Sequence, residues 1–134
     1  MQWLDQYYHW QMGPVTTMPS LPYVPQLWGL SKLSQWQSIM SSLGSAPEYL
    51  LSFNEPDLSG QANMSPQVAA DTYKQYIQPY AAKGTKIGAP CLSWNTDWYQ
   101  QFFDACDGMN ILVSSLSPFH VLVCSKTHQI GDIE

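Results

Sequence analysis

The chain has 134 residues, enough for one small domain with a real core. Its five basic residues are all lysine and face ten acidic ones, for a net charge of −5. Without a basic cluster that balance excludes a phosphate-dominated nucleic-acid interface, and the absence of an apolar run of about 18 residues predicts no membrane span.

Taken in chain order, Gln6-Tyr7-Tyr8-His9-Trp10 reads as a short aromatic strand, broken afterwards by Gly13-Pro14 and Met18-Pro19-Ser20. Tyr23 to Trp28 is an apolar run containing Pro25, which lacks a backbone N–H. It therefore predicts a strand end or an edge position, with Gly29 closing the run. Ser31 to Leu43 carries Leu33, Trp36, Ile39, Met40 and Leu43 at three- and four-residue steps, the period of an amphipathic helix. Ser31 is the expected cap and Gly44 the expected stop.

Glu48 to Phe53 reads as a strand. Ser65-Pro66 then opens a second helix, with serine suited to the cap and proline to the first turn. Its apolar stripe is Val68, Ala69, Thr72, Tyr73, Tyr76, Ile77 and Tyr80. Pro79 should kink or tighten its last turn, and Gly84 should end it. Thr85 to Leu92 is a further strand. Asn95 or Thr96 caps a last helix, buried through Trp98, Tyr99, Phe102 and Phe103. Alternating strands and helices predict an α/β fold with parallel strands. No glycine-rich phosphate loop follows any strand, against a nucleotide site.

Cys91, Cys106 and Cys124 contain no CxxC pair, so neither a zinc site nor a full disulfide framework is indicated. Cys91 and Cys106 could pair in an oxidising compartment or remain two buried thiols. His9 has no second ligand at metal spacing and reads as a hydrogen-bonded polar residue. Trp36 and Trp98 read as core. The first residues lack a basic and an apolar region, so no signal peptide is expected. Asn63-Met64-Ser65 fits a glycosylation sequon, which matters only for a secreted chain.

Leu50-Leu51-Ser52-Phe53-Asn54-Glu55-Pro56-Asp57 carries the chemistry. Glu55 directly follows an apolar strand, and Pro56 stops the ladder, so Glu55 projects from the rim. In barrel enzymes functional side chains sit at the C-terminal ends of strands. Asn54 offers a donor and an acceptor to a sugar hydroxyl. Glycoside hydrolysis uses two carboxyl groups, one of them a proton donor to the leaving oxygen, and a glutamic acid against apolar walls can be tuned for that role. Asn, Pro and Asp are also turn formers, so a plain polar turn is the competing reading. Asp57 reads as a turn or helix-cap residue.

Several segments in order resemble the catalytic domain of glycoside hydrolase family 128, the Asl1-like group in fungi. Tyr7-Tyr8-His9-Trp10 is similar to its aromatic segment, with Gln6 where a first Trp is usual. Tyr23-Val24-Pro25-Gln26-Leu27-Trp28-Gly29 is similar to its Phe-Val-Pro-Met-Leu-Trp-Gly strand. Ser52-Phe53-Asn54-Glu55-Pro56-Asp57 is similar to its Gly-Phe-Asn-Glu-Pro-Asp motif. Met64-Ser65-Pro66, Gly88-Ala89-Pro90, and Trp98 with Phe102 and Cys106 follow in the family's order.

The resemblance implies roughly the first half of a (β/α)8 TIM-like barrel. It also implies a retaining hydrolase of β-1,3-glucan, a polysaccharide substrate, with no cofactor and no metal. By resemblance, Glu55 is the acid/base, Asn54 holds the sugar 2-hydroxyl, and Trp28, Tyr8 and Trp10 line the cleft. Members are often secreted or attached to the cell wall, but the compartment of this chain stays open.

A retaining enzyme needs a second carboxylate about 5–5.5 Å from the first. The family's nucleophile motif, a Glu after a later strand, is absent. Composition changes after residue 107: every Trp and Tyr lies at or before Tyr99. The expectation is therefore a partial catalytic domain over residues 1–107 and a divergent tail, foreign or disordered, over 108–134. Such a chain would be inactive in isolation. The alternatives are a non-catalytic carbohydrate-binding fragment and a non-functional truncated product.

Overall fold

A computed structural model describes residues 7–10, 12–17 and 20–106. The expected tail over 108–134, Gln6 and Cys124 lie outside the described residues.

Four chain segments pair side by side, parallel and in sequence order. Tyr7 bridges Tyr23, Gln26 bridges Leu51, and Asn54 bridges Cys91. Between the last two segments, β1 (Tyr49–Leu50) pairs with β2 (Lys86–Ile87) in the register Tyr49 to Lys86 and Leu50 to Ile87. Regular ladders are shorter than the expected runs 48–53 and 85–92. Pro90 has no N–H to give, and pairing resumes only at Cys91, whose N–H donates to the carbonyl of Phe53 at 2.9 Å.

The second segment departs from expectation. Pro25 is not at an edge. The Val24 N–H donates to the Tyr7 carbonyl on one side, while the Pro25 carbonyl accepts from Leu51 N–H and Leu27 N–H donates to the Leu51 carbonyl on the other. Proline is tolerated there because its carbonyl still pairs. The missing N–H leaves isolated bridges where a continuous ladder would run.

Helices connect the segments. A 3-10 turn, Leu30–Lys32, leads into α1 (Leu33–Ser42), and Gly44 turns the chain out at φ +72. Ser31 lies inside the 3-10 turn and does not cap it. Gly29 holds the cap position with no side-chain bond. α2 (Pro66–Thr72) is capped by Ser65, whose hydroxyl accepts from Val68 N–H. A π-helical turn, Tyr73–Ile77, separates it from α3 (Gln78–Ala81). Pro79 cannot donate, and the widened turn just before it is where the helix absorbs that loss. Val68 proves exposed, while Ala69, Ala70, Thr72, Tyr73 and Ile77 are buried. α4 (Thr96–Ala105) is capped by the Asn95 side chain and packs against α2.

The core forms between strands and helices. Leu27, Leu50, Phe53 and Ile87 meet Trp36, Ala69, Tyr73, Ile77 and Phe102. An aromatic line runs from Phe53 edge-on to Tyr73 (6.3 Å) and on to Phe102 (5.8 Å), which stacks on Trp98 (5.4 Å). Each such pair contributes about 0.5–1.5 kcal/mol beyond its buried area. The Trp98 indole N–H donates to the Met64 carbonyl at 2.9 Å, so Trp98 is core, as expected. Gly88 seats strand on helix: its carbonyl accepts both the Ser52 hydroxyl (2.8 Å) and the Tyr73 hydroxyl (3.2 Å). No disulfide joins Cys91 to Cys106.

Candidate functional site

Because the strands are parallel, their C-terminal ends share one rim. Along it, in strand order, come Tyr8 and Trp10, then Trp28, then Asn54 and Glu55, then the loop Leu92 to Asn95.

Glu55 is held by its backbone. Its N–H donates to the Cys91 carbonyl at 2.7 Å, and its carbonyl accepts from Leu58 N–H at 3.1 Å. The second bond closes the turn after the strand. Glu55 adopts φ +44, a left-handed conformation that a non-glycine residue enters at a cost of about 1–2 kcal/mol. Such strain persists where the surroundings over-determine it, as functional sites often do.

Asn54 is anchored on both sides. Its N–H donates to the Trp28 carbonyl at 2.9 Å, and its carbonyl accepts from Ala62 N–H at 3.2 Å. Its side-chain amide donates to Gln61 Oε1 at 3.1 Å. Gly29 permits this approach, since a Cβ there would lie 2.9 Å from the Ala62 Cβ. Trp28 is half-buried beside it. Tyr8 and Trp10 are 41% and 70% exposed. The chain around them is tied down: Tyr7 hydroxyl accepts from Val15 N–H, Tyr23 hydroxyl accepts from Gly13 N–H, and His9 Nε2 donates to the Gly13 carbonyl at 2.7 Å. His9 is thus a hydrogen-bonded polar residue. Among the described residues no group of three or more His, Cys, Asp or Glu side chains could hold a metal.

Asp57 does more than make a turn. Its carboxylate accepts from Ser93 N–H and the Ser93 hydroxyl, and from the N–H groups of Trp94 and Asn95. Partial burial pushes its pKa up, but those four hydrogen bonds outweigh that and hold it below the usual carboxylate value. Asp57 therefore clips the loop before α4 to the loop bearing Glu55. Behind the clip, the Tyr99 hydroxyl donates to the Pro90 carbonyl. Burial, then the Glu55 and Asp57 carboxylates, push the Cys91 thiol up.

Trp94 was not anticipated. It is 82% exposed, more than any other large apolar side chain among the described residues. The signal for it is an aromatic residue placed where turn formers are expected, between the strand end at Leu92 and the cap Asn95. A groove lined by Pro22, Tyr23, Leu43, Pro47 and Tyr49 opens at the other end of the strands, away from Glu55.

Residues 1–130 match the family described as glycosyl hydrolase catalytic core. The chain belongs to this family. The match runs on across the segment where composition changes after residue 107. The alkali-sensitive linkage protein 1 of Schizosaccharomyces pombe is 31% identical over 112 residues, covering 81% of this chain and 20% of that protein. Among solved structures, a curdlan-specific exo-β-1,3-glucanase from Blastomyces gilchristii, GH128 subgroup III, in complex with glucose, superposes with a TM-score of 0.66 at 36% identity. That match covers 75% of this chain and 46% of the glucanase. An oligosaccharide-binding protein of GH128 subgroup VII from Trichoderma gamsii superposes at 0.63 with 28% identity, covering 73% of this chain and 42% of its own. The glycoside hydrolase family 128 relationship expected from the motifs therefore holds. The chain spans a fifth of the curated relative and under half of these solved structures. No helix among the described residues is long and apolar enough to cross a membrane.

Proposed function

We propose that this chain carries the acid/base half of a retaining β-1,3-glucan hydrolase site, built on the first strands of a (β/α)8-type barrel. The observation that carries the reading is Glu55 at a parallel strand's C-terminal end, fixed in a left-handed turn beside an anchored Asn54.

In this reading Glu55 protonates the leaving glycosidic oxygen and later takes a proton from the incoming water. Asn54, steadied by Gln61, holds the sugar 2-hydroxyl next to the reacting carbon. Trp28, Tyr8 and Trp10 take the apolar faces of glucose units.

The described carboxylates do not supply the partner. Both Asp57 oxygens are occupied by the clip. Glu48 lies at the opposite end of β1, 3.5 Å from Lys86. Asp71 accepts from Gln67 on α2, and Asp97 and Asp104 lie on α4. The nucleophile of the proposed mechanism lies outside these residues, and no Glu after an apolar strand, the family's nucleophile motif, follows residue 107, so the chain alone is expected to bind glucan without turning it over.

Reducing-sugar release from curdlan tests the reading. This chain should release none. A complete catalytic domain containing it should be active, and Glu55→Gln there should lower turnover by about 10²–10⁴-fold. Full activity of Glu55→Gln would overturn the assignment. The subgroup VII relative supports a second reading, oligosaccharide binding without hydrolysis. Glucan capture by a complete domain that releases no sugar would favour it.

A further inference from the structure

The other described tryptophans are accounted for by packing or by the proposed cleft. Trp36 and Trp98 are buried in the core, and Trp10 and Trp28 stand on the strands before Glu55. Trp94 has neither explanation. A lone exposed apolar residue is unremarkable in itself. Three observations set this one apart.

The first is position. Strand order along the rim places Trp28 on one side of Glu55 and Trp94 on the other, since Asn54 bridges Cys91 and its N–H reaches the Trp28 carbonyl. A polysaccharide crossing Glu55 must extend to both sides of it. The second is rigidity. The backbone of Ser93, Trp94 and Asn95 donates to Asp57, two residues from Glu55, so the loop under Trp94 moves with the loop bearing the carboxylate. Such fixing lowers the ordering cost of binding. The third is chemistry. An indole face matches the C–H face of a glucose ring, and no charged side chain is needed to hold a neutral sugar.

We infer that Trp94 is a sugar-stacking residue that carries the glucan chain on the side of Glu55 opposite Trp28. The inference rests on the glucan reading proposed above and adds a residue to its site. Asp57 acts only through the loop, as a positioning residue.

The test is isothermal titration of the full chain with laminarihexaose, a β-1,3-linked glucose hexamer, alongside tryptophan fluorescence. Trp94→Ala should weaken binding about tenfold or more. Trp94→Phe should retain most of the affinity while losing part of the fluorescence change. Val68→Ala, at an exposed apolar position on α2, should bind as the unsubstituted chain does. Trp94 makes no core contact, so an unchanged circular dichroism spectrum is expected for each variant. Unchanged affinity in Trp94→Ala, with weakened binding in Trp28→Ala, overturns this inference and leaves the glucan reading standing. No binding by the unsubstituted chain overturns both.

Discussion

The Asp57 carboxylate accepts the Ser93 hydroxyl at 2.7 Å across a separation of 36 residues, joining two loops that the strands alone would leave side by side. Its four hydrogen bonds stabilise the ionised form, so the folded-state pKa is depressed despite partial burial. The resulting stability is fully present above the unfolded carboxyl value of about 4 and is lost as pH falls through the lower folded value. Asp57→Asn should cost about 1 kcal/mol at pH 7, a modest figure because the group is partly exposed and screened. Urea denaturation should show that difference shrinking towards pH 3. An equal loss at both pH values would rule out the charge as its source.

Glu55 at φ +44 separates backbone cost from chemistry. Glu55→Gly should be more stable than Glu55→Ala by about 1 kcal/mol, because only glycine enters that region freely. Both variants should be inactive in a complete catalytic domain. Thermal melts of the pair check the point, and a less stable glycine variant would mean the turn is not strained.

Gly29 is extended, so its role is spatial and not conformational. In Gly29→Ala the new Cβ meets Ala62 at 2.9 Å, and overpacking should cost about 1–3 kcal/mol. Ala62→Gly in the same chain should restore most of it. Ala62 N–H bonds the Asn54 carbonyl, so the single variant should also weaken glucan binding. Additive losses in the double variant would show that the two residues do not press on each other.

Phe102 is fully buried at the end of the aromatic line from Phe53 through Tyr73. Phe102→Ala should cost about 3–5 kcal/mol. In a small domain that is a large share of total stability, so the midpoint of chemical unfolding should fall steeply. A loss under 1 kcal/mol would mean that α4 is not part of the cooperative core.

Local signals were read correctly where one residue decides the outcome. Ser65 and Asn95 cap their helices, Gly44 and Gly84 turn the chain out at positive φ, and Asn54-Glu55 stands at a strand end. Reading failed where a neighbour in space decides. Pro25 looks like an edge residue until Tyr7 and Leu51 are seen to flank it. Val68 fits the apolar stripe, but no element among the described residues covers that part of α2. Ser31 is a good cap residue that the chain passes over because the helix begins earlier, as a 3-10 turn. Trp94 and the Asp57 clip were hidden for the same reason: their meaning lies in a contact between loops far apart in sequence. The roles of Tyr8, Trp10 and Trp28 rest on the family resemblance more than on any local pattern.

Pairing in chain order also bears on how the molecule assembles. Tyr7 to Tyr23, Gln26 to Leu51 and Leu50 to Ile87 each join a segment to the one laid down before it. During synthesis from the N-terminus, each strand emerges to find its template already present. Non-local parallel pairing is slow because loops must close first, but the entropy of closure grows only weakly with loop length. The Asp57 clip can form only after Ser93 to Asn95 have left the ribosome. Glu55 is therefore made early and seated late, when the fourth strand closes over its N–H.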